Sequence, residues 1–283
     1  MRWDLSLAQH WQPGEAGAHR SLDAFIEVCS NYKTARDIPS IAGTSRLSPH
    51  LHFGEIGPRQ VLVTMQAPTP ANSSAGREAF VRELGWREFA HHVLFHFPQT
   101  TDQPFNARFA DYPWETSVAN LRAWQRGRTG FPIIDAGMRE LWHTGYMHNR
   151  VRMLVASLLT KNLRIHWLDG ARWFWDTLVD ADLANNSLGW QWTAGCGTDA
   201  APYFRIFSPT LQSERFDPEG IYLRRWLPEL AALPDKWLHQ PWMAPVAVLE
   251  KAGIRIGEHY PAPIVDLKTS RDSALAGYRL LRT

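Results

Sequence analysis

The sequence predicts an all-α fold, and three observations carry that expectation. Apolar residues recur mostly at helical spacing, strict apolar alternation is scarce, and the βαβ alternation of a doubly wound sheet is missing. The 283 residues allow one large domain or two small ones, and 45% hydrophobic with 20% charged residues is an ordinary globular balance.

The elements follow in order. Ala18 to Val28 reads as the first helix, and Ile38 to Pro49 as a loop rich in Pro, Gly and Ser. Ala67 to Gly76 is a second loop. Ala79 to Phe97 is a helix whose turns carry Phe80, Leu84, Trp86, Phe89, Val93 and Leu94. Phe97 to Trp114 is a third loop. Pro132 suits the first turn of a helix over Ile133 to Thr144. Met147 to Leu163 places Val151, Leu154, Val155, Leu158 and Leu159 on one face. Leu168 to Val179 and Ser270 to Leu281 also read as helices. Asn185 to Pro209 reads as a short helix followed by irregular chain. Leu227 to Pro263 carries six prolines and is expected to wrap the surface.

Composition excludes several classes. No apolar run approaches the ~18 residues needed to cross a bilayer. Met1 to Trp11 lacks the apolar core of a signal peptide. With only Cys29 and Cys196, a disulfide framework is not the organising principle, and a reducing cytosol, hence a cytoplasmic protein, is the default. The net charge is only +2, yet Arg122 to Arg164 holds eight Lys/Arg against two Asp/Glu. That segment reads either as a basic face for a polyanion or as a solvated helical surface. Fourteen tryptophans exceed what a helical core needs, and some suit stacking on flat ligands or bases.

Several motifs need weighing. Gly195-Cys196-Gly197-Thr198-Asp199-Ala200 has the letters of a dinucleotide fingerprint but follows no buried strand, so that reading is set aside. His91, His92 and His96 lack the three or four convergent ligands of a zinc site, and no metal is expected. Thr44 to Ser48 packs three hydroxyls and a guanidinium into five residues, which suits either a phosphate seat or a plain helix cap. Asp180 to Trp192 gathers two acids, three amides and two indoles. Buried polar atoms need partners, so this stretch favours a polar heterocyclic ligand over a capped turn followed by an aromatic helix.

At these residues the sequence resembles the DNA photolyase and cryptochrome family, and most closely its class I cyclobutane-dimer photolyases. The matching stretches are GTSRLSPHLHFGEI (43–56), RELGWREF (82–89), TGFPIIDAGMREL (129–141), GYMHNRVRM (145–153), DADLANNSLGWQW (180–192) and TDAAPYFRIFSP (198–209). The resemblance implies the helical FAD-binding domain with long loops, here over residues 19–283 after a lead-in segment, 1–18. The family's N-terminal α/β antenna domain is expected to be absent.

By position, the resemblance implies that FAD is held by Tyr32, by Thr44, Ser45, Arg46, Leu47 and Ser48 at the phosphates, and by Arg87. Arg152 and Asp180 would pair beside the flavin ring. Asp182 would sit at its polar edge and Asn186 would face N5, as an amide that neither donates a proton readily nor adds charge. Trp86 and Trp192 would wall the substrate pocket. Glu83 would hydrogen-bond the dimer, and Asn149 and Met153 would complete the floor. Trp190, Trp167 and Trp114 would relay electrons from flavin to surface. Tyr146 stands where tryptophan also occurs in the family. The implied partner is DNA containing pyrimidine dimers. The implied reaction is light-driven splitting of a flipped-out dimer by electron transfer from reduced FAD. The alternatives are a cryptochrome-like photoreceptor and a non-catalytic flavin- or DNA-binding remnant.

Overall fold

The computed structural model describes residues 3–67, 74–199 and 204–281. Residues 68–73 of the second expected loop and 200–203 of the TDAAPYFRIFSP stretch lie outside them. The described residues are helical, with β-type pairing only at two isolated bridges, Glu115 to Ile165 and Ile256 to Tyr260.

Two hydrophobic cores form. The smaller is built by α1 (Glu15–Val28), α2 (Tyr32–Ala35), α3 (Ser48–His52), α4 (Pro58–Gln66) and the first half of α5 (Ser74–His96). It buries Leu22, Phe25, Tyr32, Leu47, Val61, Phe80 and Leu84. The larger is built by α6 (Val118–Gln125), α7 (Pro132–Thr144), α8 (Asn149–Ser157), α9 (Trp167–Thr177) and α10 (Leu183–Ala194), with the C-terminal helices α11 (Pro209–Phe216), α12 (Ile221–Trp226), α13 (Asp235–Leu238), α14 (Val246–Lys251) and α15 (Leu267–Leu280). Helix α5 belongs to both halves, packing on α2 and α4 and also on α10.

Local sequence explains most boundaries. Pro132 starts α7, where its missing N–H costs nothing. Ser117, Asp182, Ser208 and Asp266 cap α6, α10, α11 and α15 by accepting a backbone N–H. His148 and His166 do the same for α8 and α9 through Nδ1, each at 3.2 Å. Gly137 lets α7 and α8 touch, since a Cβ there would lie 2.3 Å from Val151 Cγ1.

The structure corrects four expectations. First, the helix expected over Met147 to Leu163 starts at Asn149, because His148 caps it, and changes to a π turn over Leu158–Asn162. All five residues of the expected apolar face are nonetheless buried. Second, Trp86 and Phe89 on α5 are exposed at 45% and 37%, while Phe80, Leu84 and Val93 are buried. Third, the loop after Phe97 contains two 3-10 turns, Pro98–Thr101 and Ala107–Asp111. Fourth, the proline-rich tail does not merely wrap the surface. Its prolines open short helical turns that drive Leu227, Leu230, Leu233, Leu238, Ile254 and Tyr260 into the larger core.

One buried carboxylate pins that tail. Asp135 accepts from Thr129 N and Thr129 Oγ1, both at 2.7 Å, from Gly130 N at 3.0 Å and from Tyr260 Oη at 2.7 Å. Removing it orphans four buried donors at once. Asp135→Ala is expected to lower unfolding free energy by about 3–5 kcal/mol, measured by urea denaturation.

Candidate functional site

The site lies at the seam between the two cores. Two cavities of about 520 and 290 Å³ meet there and share Arg36, Glu83, Arg87, Asn149, Arg152 and Asp180 as lining. That size is typical of small-molecule and cofactor pockets.

An ion pair on the larger-core side of the seam is tied across it by one hydrogen bond. Arg152, on α8, donates from Nη2 to Asp180 Oδ1 at 3.1 Å and Oδ2 at 2.9 Å. Its Nε donates to Met147 O at 2.7 Å. Ser48 Oγ, from the other core, donates to Asp180 Oδ2 at 2.6 Å. Burial works against the Arg152 charge, but Asp180, Tyr146 and Glu140 outweigh it, so its pKa stands above the usual value.

The smaller cavity holds the hydroxyl-rich segment. Thr44, Ser45, Arg46, Leu47 and Ser48 all line it, with Tyr32 opposite. Arg46 adopts φ 52°, and its guanidinium lies over Trp11 at 4.5 Å and Tyr146 at 4.9 Å. Leu47 turns its side chain into the core. Burial pushes the Tyr32 phenol well above its usual pKa, so it remains a neutral hydrogen-bonding group.

The larger cavity is walled by α5, α8 and α10. Glu83 and Trp86 come from α5, Asn149 and Met153 from α8, and Asn186, Trp190 and Trp192 from α10. Asn186 Nδ2 donates to Ala171 O of α9 at 2.9 Å, which fixes the amide and leaves its oxygen and one N–H. Trp190 sits edge-on to Phe174 at 5.0 Å and Trp124 at 6.1 Å. Its ring covers Gly170, where a Cβ would lie 2.1 Å away.

Asp182 has two tasks. It caps α10 through Asn185 N at 2.8 Å, and it faces His91 Nε2 at 3.4 Å and His52 Nδ1 at 3.7 Å. Burial raises its pKa, but the Asn185 hydrogen bonds and the His91 and Arg87 charges overcome this and hold it below the ordinary value. Arg87 donates to Glu88 Oε1 at 2.7 Å while lining both cavities. Trp167 is buried and Trp114 half-buried, both outside the cavity walls.

Three sequence readings change. Glu83 does not stand alone in the pocket; it is ion-paired with Arg36, a residue the sequence reading missed. Arg36 lies four residues after Tyr32 on the same short helix, a spacing that marked it as a neighbour. His91, weighed only as a metal ligand, is a partner of Asp182, and His92 packs on His96 at 4.4 Å. The Arg122 to Arg164 segment is not one basic face, because Arg139, Arg150, Arg152 and Arg164 are paired with Glu229, Asp37, Asp180 and Glu115, and Lys161 is buried. The GCGTDA segment follows a helix, not a strand. Its first glycine is the left-handed cap of α10, with φ 87°.

Two measurements probe the seam. Asp180→Ala strands Arg152 and is expected to cost about 3–5 kcal/mol in urea unfolding, with Asp180→Asn costing less. His148 beside the site is buried, and that burial, helped by Arg152, pulls its pKa down to about 4. Its folded pKa thus lies below the unfolded value of about 6.5. The stability it contributes is whole above pH ~6.5 and falls by on the order of 3 kcal/mol as pH drops toward 4. His148→Asn, which keeps a side-chain cap, is expected to flatten that part of a pH–stability curve.

Comparisons with known proteins place the chain in one family. The family described as FAD binding domain of DNA photolyase matches residues 80–280. A deoxyribodipyrimidine photo-lyase of Agrobacterium fabrum is 48% identical over 281 residues, 99% of this chain and 59% of that protein. Cryptochrome-2 of Arabidopsis thaliana is 43% identical over 275 residues, 94% of this chain and 45% of that protein. The crystal structure of a bacterial class III photolyase from Agrobacterium tumefaciens superposes with a TM-score of 0.96 at 48% identity, covering 99% of this chain and 58% of that one. The chain therefore spans less than two thirds of these relatives, and the expected placement nearest class I has no support from a match described as class III.

Proposed function

Because this chain belongs to the DNA photolyase and cryptochrome family, whose cofactor is FAD, we propose that it carries out light-driven repair of cyclobutane pyrimidine dimers in DNA. One observation carries the reading. Glu83, Trp86, Asn149, Met153 and Trp192 line the same cavity as the Arg152–Asp180 pair and Asn186.

The donor set fits FAD. The Thr44 to Ser48 hydroxyls suit a diphosphate, and Tyr32 closes that end. Ser48 is the exception, since its hydroxyl is committed to Asp180 and only its backbone is left for a phosphate. Arg152 and Asp180 would meet the flavin as a nearly neutral, fully hydrogen-bonded pair. Asp182 and Arg87 would flank the polar edge of the ring. Asn186, its NH₂ already engaged by Ala171, would present an uncharged oxygen and no ready proton.

Bound FAD supplies an electron on illumination, which the dimer accepts and returns after its cyclobutane bonds have opened. The rest falls to the chain's own side chains. The dimer has to leave the duplex to reach the cavity, and its poor stacking lowers the cost of flipping. Trp86 and Trp192 would clamp its faces, with Met153 filling the apolar side. Asn149 would hydrogen-bond the bases. Glu83, with Arg36 holding it, would accept a hydrogen bond from a base N–H, and the Arg36 cation would help balance the added negative charge. Trp190, Trp167 and Trp114 would carry electrons inward when the flavin has to be reduced.

The likeness to a plant cryptochrome favours a second reading, light sensing without repair. A single assay separates them. The FAD-loaded, reduced protein is illuminated with near-ultraviolet light beside an oligonucleotide containing one cyclobutane dimer. Loss of the dimer is expected; its persistence with FAD bound would overturn repair. Glu83→Ala is expected to cut the repair yield roughly tenfold, the scale of one lost charge-assisted hydrogen bond, with FAD content unchanged.

A further inference from the structure

The route between Trp167 and Trp114 contains a residue that neither the motifs nor the pocket assigns. Both indoles contact the same imidazole. His166 lies 4.9 Å from Trp114 between ring centroids, edge-on, and 5.7 Å from Trp167, nearly parallel at an interplanar angle of 29°. These separations are those of direct aromatic contact. The imidazole is also fixed. Its Nδ1 accepts the Leu168 N–H at 3.2 Å as the cap of α9, which assigns the ring proton to Nε2. Trp167 follows in the first turn of the same helix, so cap and indole are set by one backbone.

We propose that His166 is the bridge through which an electron passes from Trp114 to Trp167, a positioning and coupling residue of the relay. The inference rests on the proposed role of the three tryptophans. In the step, one electron leaves Trp114 for Trp167 once Trp167 has lost its own to Trp190. The terminal oxidant is the light-excited oxidised flavin, and a thiol in solution refills Trp114. No bond forms or breaks, and the imidazole keeps its single proton.

Neutrality matters, because an imidazolium would oppose a positive hole on either indole. Burial lowers the His166 pKa, Asp169 raises it and Arg172 lowers it, and the balance is downward. On the neighbouring loop, Arg164 and Glu115 beside Trp114 are paired with each other.

Two substitutions separate the ring from the cap. His166→Asn keeps an acceptor for Leu168 N–H and removes the ring, whereas His166→Phe keeps a ring and removes the acceptor. In the flavin-loaded full chain, transient absorption reads the appearance of the hole on Trp114, while Tm and FAD content report folding. His166→Asn is expected to slow that step by about tenfold or more at nearly unchanged Tm. His166→Phe is expected to lower Tm while keeping the rate within about threefold. A wild-type rate in His166→Asn, or equal slowing in both variants, overturns the bridge. Trp190→Phe separates the two levels of the argument. If it leaves flavin photoreduction intact, the tryptophan relay itself fails; if it abolishes photoreduction while His166→Asn does nothing, only the bridge fails. Nitrogen NMR of the oxidised protein in the dark is expected to show a neutral His166 with its proton on Nε2 at pH 7, and an imidazolium would overturn the proposal as well.

Discussion

The Arg152–Asp180 pair, with Ser48 as its third member, is the constraint on which the site depends. Asp180 is buried, and a buried charge persists only when it is paired and hydrogen-bonded. Its partners come from different cores: Arg152 from the larger one, Ser48 from the segment that enters the smaller one. The same contact that satisfies the carboxylate therefore sets the spacing of the seam, and the seam is the pocket. A seam closed by apolar contacts would have no reason to leave a cavity between the cores. One closed by a fully satisfied ion pair can stay open beside it.

Helix α10 converts that spacing into chemistry. Its cap, Asp182, faces His52 and His91 at the polar edge of the cavity. One turn along, Asn186 is tied to α9 through Ala171. Another turn along, Trp190 lies on Gly170, and Trp192 lines the larger cavity. These positions hold because both ends of the helix are fixed, by Asp182 at the start and by Gly195 at the end. Lys161 Nζ, from the π turn, donates a hydrogen bond to Ala194 O at 2.6 Å, satisfying that end carbonyl of the helix.

The likeness to both a photo-lyase and a cryptochrome has a structural meaning. The proposed flavin end and tryptophan relay would serve any light-driven redox chemistry. What favours the proposed repair is another set of side chains lining the larger cavity, namely Glu83 with Arg36, the exposed Trp86, and Asn149 with Met153 one turn apart on α8.

Sequence alone determined the all-α class and the positions of the long helices, because helical periodicity and capping residues act locally. Pro132, Asp182 and Gly195 could be read as punctuation where they stood. The motifs also marked nearly all of the cavity wall. What the tertiary structure decided was who meets whom. Ser48 is engaged by Asp180, Glu83 is held by Arg36, four of the basic segment's eight Lys/Arg are ion-paired, and the proline-rich tail is drawn inward by Tyr260 on Asp135. His166, unmarked by any motif, becomes the ring between two tryptophans only when the loop carrying Trp114 folds back beside Ile165. Such contacts join residues tens of positions apart. Their energies depend on burial and geometry, and no local pattern in the chain encodes either.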